Sequence, residues 1–342
     1  MMKYSLSKRK KFSLLVLFVV ICCFALPAWG DGISPAKKRQ RKVAQAMVHQ
    51  PPIGSGKKKK PAKGDEDNIS GIHGVLNFTG SYNLLGARVI AALGWRKRLY
   101  KSTSKILREN FFGVHAITRL TPAWLEGGAV LAVQPITILK LRLAYRFRVQ
   151  IPLFFSGGAF DSVDQARKAF EGVESHRAGE DVLRERIAKV QKDNNDSRVL
   201  PMSHIVSADL TFRFKLKGIL LLANARYSKW FSSHGKEDTY KAFYEGGHDM
   251  IFMNNEDFFM IEGVVGYERG VLRFLGLFSY RTAFNAGTDY FRLGPAVQWS
   301  IAPAWGWFKK PSLLVLANWY LQHNWRGRDG VPLIGFRIGG EF

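Results

Sequence analysis

From Ile138 to Ile151 the chain alternates without a break. Leu139, Leu141, Leu143, Tyr145, Phe147 and Val149 fall on one parity, and Lys140, Arg142, Ala144, Arg146, Arg148 and Gln150 on the other. On a helix those basic residues scatter around the cylinder, whereas on a strand they form one row opposite an apolar row. The same period of two marks twelve expected strands: Ile72–Asn83, Leu85–Leu99, Phe111–Thr121, Ala123–Gln134, Thr137–Gln150, Met202–Leu216, Ile219–Phe231, Phe258–Glu268, Val271–Phe284, Asp289–Ala302, Ser312–Trp325 and Val331–Phe342. A soluble antiparallel sheet also alternates, so length and number have to decide. These runs are 11 to 15 residues long, against about 5 or 6 for ordinary strands and about 9 to 11 for tilted strands that cross a bilayer. Runs of this kind suit hydrocarbon on one face and water on the other.

The connections carry a second regularity. Short links at Gln134-Pro135-Ile136, Lys217-Gly218 and Arg269-Gly270 follow even-numbered runs, while the long insertions 151–201 and 232–257 follow odd-numbered ones. Tyr100–Asn110 and Pro303–Pro311 are longer than the rule expects. An even number of strands with the large loops at one end is what a closed barrel requires. In hydrocarbon every backbone donor and acceptor must be paired internally, and a ring of strands does this where an open sheet does not. Trp95, Trp124, Trp230 and Trp325 fall near strand ends, with Trp305 and Trp307 in a short-side turn, as expected of an aromatic belt at the headgroup boundary.

The N-terminal end gives the destination. Lys3, Lys8, Arg9, Lys10 and Lys11 precede a short apolar run, and Ala28 and Gly30 precede Asp31, the pattern of a secretory signal over residues 1–30. The run is too short for a spanning helix, which needs about 20 apolar residues. Cys22 and Cys23, the chain's only cysteines, follow Val20 and Ile21, not the small residue that a lipidation site demands. Once the signal is removed, no disulfide, thiolate nucleophile or cysteine metal site is possible. Residues 31–70 are rich in lysine, arginine, proline and glycine, and cannot bury enough apolar surface to order themselves. Behind an export signal this basic tail reads as a solvated spacer in the periplasm, and the functional alternative is binding to anionic envelope polymers or lipid headgroups. Nucleic acid is not expected as a partner. Gly56-Lys57 is no phosphate loop, because Pro51 stands where the first glycine belongs and Lys58 where Ser or Thr belongs.

The alternating runs, the export signal and a last strand ending on Phe342 resemble the bacterial outer-membrane β-barrel proteins of Gram-negative cells. That resemblance implies an all-β fold, a closed antiparallel transmembrane barrel of about 12 strands over 71–342, and location in the outer membrane. It also implies that Phe336, Ile338, Gly340 and Phe342 form the signal read by the barrel-assembly machinery. It names no subfamily and leaves the activity open.

The parity of the runs turns Arg142, Arg146, Arg148, Arg213, Lys215, Arg226, Arg273, Arg281 and Arg292 inward, against fewer inward acids: Glu126, Asp209, Glu262, Glu268 and Glu341. Cationic rings in a pore attract anions and repel cations. The leading expectation is a passive, porin-like pore for small anionic solutes, with Arg142, Arg146, Arg213 and Arg281 at its constriction. The alternative is a closed structural or adhesive barrel, since small barrels fill their interior with side chains. A lipid hydrolase is the competing class. No His-x-Ser pair is present, leaving His323 with Asn318 and Ser300 as its one constellation. Within 151–201, Leu183, Ile187 and Val190 lie at helical spacing behind Asp181, giving a short helix that caps the mouth, plugs it or lies on the surface. In the second insertion, His234, Glu245, His248, Asp249, Glu256 and Asp257 match no metal spacing and read as a polar surface loop. No cofactor is called for.

Overall fold

The computed structural model describes residues 70–81, 86–104, 106–151, 159–170, 202–233, 241–245, 247–301, 304–305, 308–323 and 332–341. The signal segment, the basic tail up to residue 69, the helix expected around Leu183, and Trp307, Trp325 and Phe342 lie outside the described residues.

Twelve long strands form the wall. They are β1 (Gly71–Ser81), β2 (Gly86–Lys97), β3 (Phe111–Leu120), β4 (Trp124–Ile136), β5 (Leu139–Gln150), β7 (Met202–Leu216), β8 (Ile219–Ser233), β11 (Asn255–Arg269), β12 (Leu272–Ala283), β13 (Thr288–Ser300), β15 (Phe308–His323) and β16 (Leu333–Glu341). Each pairs antiparallel with the next, and β1 pairs with β16. The sheet therefore closes, and no wall strand is left with an open edge. The all-β closed barrel that the sequence implies is the fold found. β14 (Ala304–Trp305) pairs with the start of β15 in the same sheet, and four short elements lie off the ring: β6 (Ala159–Phe160), α1 (Val163–Phe170), β9 (Ala242–Glu245) and β10 (Met250–Met253).

The short connections have local causes. Lys217 and Gly218 both take positive φ, 46° and 89°, as a two-residue turn between twisted strands requires. The β2–β3 connection, longer than the parity rule expects, is held by one buried side chain. Asn110 Oδ1 accepts from the backbone N–H of Leu99 and Tyr100, and its amide donates to the carbonyls of Tyr100 and Leu107.

The two faces of the wall are inverted relative to a soluble protein. Leu93, Leu143, Tyr145, Phe274 and Trp299 are among the many large apolar side chains that stand half-exposed on the outside, an extent of bare apolar surface that soluble monomers do not carry. At the β1–β16 seam the Phe336 ring lies across the outward Gly80, so that a Cβ there would meet it at 2.5 Å. Gly263 sits in the same way under the ring of its cross-strand partner Phe278. Glycine and ring pack as a unit, covering backbone that a bare glycine leaves open.

The hydrophobic core lies inside the ring. Phe160, Ala166, Phe243, Tyr244, Met250, Ile251 and Phe252, from β6, α1, β9 and β10, pack against the inward side chains Ile205, Trp230, Phe258, Met260, Tyr290 and Tyr320 of the wall. Strands β10, β9 and β6 form their own three-stranded sheet. Both insertions thus contribute to a plug at the long-loop end. The second insertion is not the polar surface loop its composition suggests, because its apolar stretches A-F-Y and M-I-F-M draw it into the barrel.

Candidate functional site: the basic lumen

The period of two in β5 places Lys140, Arg142, Arg146 and Arg148 in one inward column, and the neighbouring strands bring acids to them. Glu126 of β4 is fully buried and accepts from Arg119 of β3 at 2.9 Å, from Arg146 at 3.3 Å and from Arg148 at 2.6 and 3.0 Å. Arg146 also donates to Ser207 of β7 at 3.1 Å. Arg148 has a second carboxylate, Glu245 at the end of β9, which also accepts from the N–H of Gly247 at 2.9 Å. The Arg148 guanidinium lies between two indoles, 4.0 Å from the Trp124 ring centroid and 4.9 Å from that of Trp230. A buried guanidinium with two carboxylates and two aromatic faces is fully satisfied. The plug is tied to the wall at this point.

Further around the ring, Asp209 of β7 accepts from Arg142 at 3.3 Å and from Arg226 of β8 at 2.5 Å. Arg281 of β12 donates to Glu262 of β11 at 2.8 Å and to His248 Nδ1 of the plug at 2.9 Å. Arg292 of β13 stands over the rings of Tyr290 and Tyr320, 5.4 and 5.9 Å from their centroids. Toward the short-turn end, Glu268 takes Lys215 at 2.6 Å and Arg273 at 2.7 Å, while Arg213 reaches Glu109 at 2.5 Å. The nine basic residues assigned to the lumen lie on the inward parity of their strands, and eight of them hold a carboxylate. The four assigned to a constriction are not brought together: Arg146 is in the Glu126 cluster, Arg142 on Asp209, Arg281 on Glu262, and Arg213 at the far end.

Two expectations from the sequence are corrected. Trp124 and Trp230 are inward and 5% and 1% exposed, serving Arg148 and the plug, while Trp95, at 46%, stands on the outer face as a belt residue does. His323 does not meet Ser300 and Asn318 in a catalytic group. In the β13–β15 register His323 is opposite Tyr290 and Ser300 is opposite Ser312, and ten residues of strand separate Tyr290 from Ser300 by roughly 33 Å. His323 instead lies 3.4 Å from Asp249 of the plug, whose carboxylate also accepts from Tyr244 at 2.6 Å and Tyr320 at 3.1 Å. Arg119, Glu245, His248 and Asp249 were not foreseen as lumen residues. Arg119 was readable, since it shares parity with Phe111, Gly113 and His115.

On the outer face, Phe336 and Ile338 of the last strand are half-exposed, and Gly340 is opposite Leu76 of β1. Among the described residues no group of three or more acidic, histidine or cysteine side chains has the arrangement of a metal site.

No protein family matches the chain, and no curated protein matches it. Similar folds occur among solved structures. The NanC porin is 9% identical, with 79% of this chain and 98% of that one covered and a TM-score of 0.38. The β domain of the Bordetella autotransporter BrkA is 9% identical, with 80% and 99% covered and a TM-score of 0.36. The Acinetobacter baumannii outer membrane protein Omp33 is 10% identical, with 79% and 96% covered and a TM-score of 0.34.

Proposed function

We propose that this chain is an exported outer-membrane barrel whose lumen passes small anionic solutes passively. One observation carries the reading: a closed ring of strands has an apolar outer face left bare all around, and an inner face on which guanidinium and ammonium groups outnumber carboxylates. The outer face calls for lipid, and the inner face for water with anions in it. Phe336, Ile338 and Gly340, with Phe342 beyond them, are the proposed contact for the barrel-assembly machinery. The basic segment 31–70 is the proposed contact for anionic envelope polymers or headgroups.

The test is reconstitution into planar bilayers under a salt gradient. An anion-selective reversal potential is the expected result, and a cation-selective one would overturn the reading. Migration on a gel that changes on boiling tests the closed barrel separately.

The plug favours a second reading, a barrel that is closed at rest. Its core reaches from Arg148 on β5 to Tyr320 on β15 across the long-loop end. Absence of conductance in the intact protein, with anion-selective conductance after residues 241–254 are deleted, would support this form of the proposal.

A further inference from the structure

The lumen has two kinds of basic residue. Most are tied to carboxylates, as described, and Arg292 stands over the rings of Tyr290 and Tyr320. Among the described residues, Arg88 and Arg96 of β2, Lys140 of β5 and Arg337 of β16 form no ion pair with a carboxylate. Two of these four converge. The Arg96 guanidinium lies 4.8 Å from the centroid of the Phe111 ring and the Lys140 ammonium 5.4 Å from the same centroid, which places the charges within about 10 Å of one another. Phe111, on β3 between the strands that carry the two groups, is buried, and Ala132 of β4, between β3 and β5, is fully covered.

The wall beside Phe111 is cut away to seat these groups. Gly94 faces His115 so closely that a Cβ would stand 2.3 Å from its Nδ1, and a Cβ on Gly113 would stand 3.0 Å from both Arg96 Cγ and His115 Nε2. Two polar atoms here are buried without a partner, His115 Nε2 and Arg96 Nε. The surrounding charges are mixed: Lys140 interacts with Arg142, Arg96 and Arg213 against Asp209, whereas Arg96 interacts with Glu341 first and with Arg213 second. Arg96 and Lys140 repel one another, and the acids that oppose this, Glu341 and Asp209, form no ion pair with either. A bound anion would pair with both.

We infer that Arg96 and Lys140, with Phe111 as floor and His115 at the side, form a binding site for a divalent oxyanion, the charge carried by a phosphate monoester or a dicarboxylate. The site lies in the short-turn half of the lumen, away from the plug. Two fixed charges match a divalent group, and the guanidinium fork with an ammonium beside it suits paired oxygens. The inference rests on the reading of the lumen as an anion path and gives that path a binding step.

The experiment is calorimetric titration of the full chain, refolded in detergent, with inorganic phosphate at pH 8 and low salt, and with acetate as the monovalent comparison. Saturable phosphate binding is expected, with acetate weaker by about tenfold or more, and loss of about tenfold or more in the Arg96→Gln/Lys140→Gln double variant. Gly113→Ala, which removes no charge, should weaken binding by crowding Arg96, and Lys140→Arg should keep it. The same phosphate, added in bilayers, should reduce chloride current in the parent and not in the double variant. Binding without any conductance would uphold the site and sink the pore. Anion-selective conductance with no saturable binding, or binding untouched in a correctly folded double variant, would sink the site and spare the pore.

Discussion

Replacing Glu126 with glutamine tests whether the Arg119–Arg146–Arg148 cluster is fixed structure or solvated wall. The substitution keeps the size of the side chain and one carbonyl acceptor, and removes the charge that three guanidiniums share. Glu126 is fully enclosed, and the side chains of Arg146 and Arg148 are 5% and 4% exposed, so water replaces little of what is lost. Removing one partner from a buried ion pair costs about 3–5 kcal/mol. The lower end applies here, because Arg148 keeps Glu245, Arg146 keeps Ser207, and Arg119, at 17%, can turn toward the lumen. With a urea dependence of about 1–3 kcal/mol per molar, a loss of about 3 kcal/mol lowers the unfolding midpoint by about 1–3 M. The measurement is urea unfolding of the lipid-folded barrel, followed by tryptophan fluorescence and by heat-dependent gel migration. Trp124 lies against Arg148, so it reports the cluster directly. A shift worth less than about 1 kcal/mol would mean that lumen water solvates the guanidiniums as well as Glu126 does, and the plug could not be anchored there.

Glu245→Gln weakens the tie between β9 and the wall by the value of a charged hydrogen bond, about 1.5–3 kcal/mol, and should raise the open fraction of the plug by about tenfold or more, read as channel activity or as cleavage by protease within 241–254. Burial in the lumen, and then the charge of Arg281, hold the His248 imidazole well below its ordinary value. A released plug therefore takes up a proton below about pH 6.5 while the seated plug does not, so seating is unaffected above that pH and weakens progressively as pH falls; protease resistance of the plug that is constant from pH 8 to 5 would refute this. In single-tryptophan variants, brominated lipids should quench Trp95 and Trp299 and leave Trp124 and Trp230 bright. Gly80→Val drives a side chain into the Phe336 ring at the closing seam and should slow assembly and lower the unfolding midpoint, whereas Thr79→Val, on the inward face, should change neither by much.

The ring of strands was legible because the wall imposes one rule on every residue: odd positions meet one solvent and even positions the other. Arg213 could be placed inward from Leu210, Phe212 and Phe214 alone, without knowing which strand stands beside it. The plug obeys no such rule. Ala242, Phe243, Tyr244 and Glu245 are all buried, because a short strand inside a barrel is covered on both faces and its sequence does not alternate. The same enclosure hid Glu245 and Asp249, whose partners Arg148 and Tyr320 are far away in sequence and meet them only through the closure of the ring. Trp124 and Trp230 were misplaced for a related reason. A tryptophan near a strand end suits a headgroup belt and a lumen core equally well, and only its parity relative to Glu126 and Arg226 separates the two. Read that way, both were already inward.

The basic lumen is two structures in one. Where Arg119, Arg146 and Arg148 face Glu126 and Glu245, the charges close on themselves and the field they project into the lumen is small. Such residues hold strands and plug together, and replacing them should cost stability before it alters passage. Where Arg96 and Lys140 lie over Phe111 with no carboxylate in an ion pair with either, the charges remain open, and the fold gains only their contact with the ring. A wall under selection only for stability would have placed a carboxylate on β4 between them, at Ala132 or Gln134. Gln134 instead donates to the Glu109 carbonyl at 2.5 Å, and Ala132 leaves room for the two long side chains. Selectivity should accordingly follow the unpaired residues of the short-turn half, and stability the paired residues of the long-loop half. Exchange of the two behaviours between Arg96→Gln and Arg148→Gln would contradict the division.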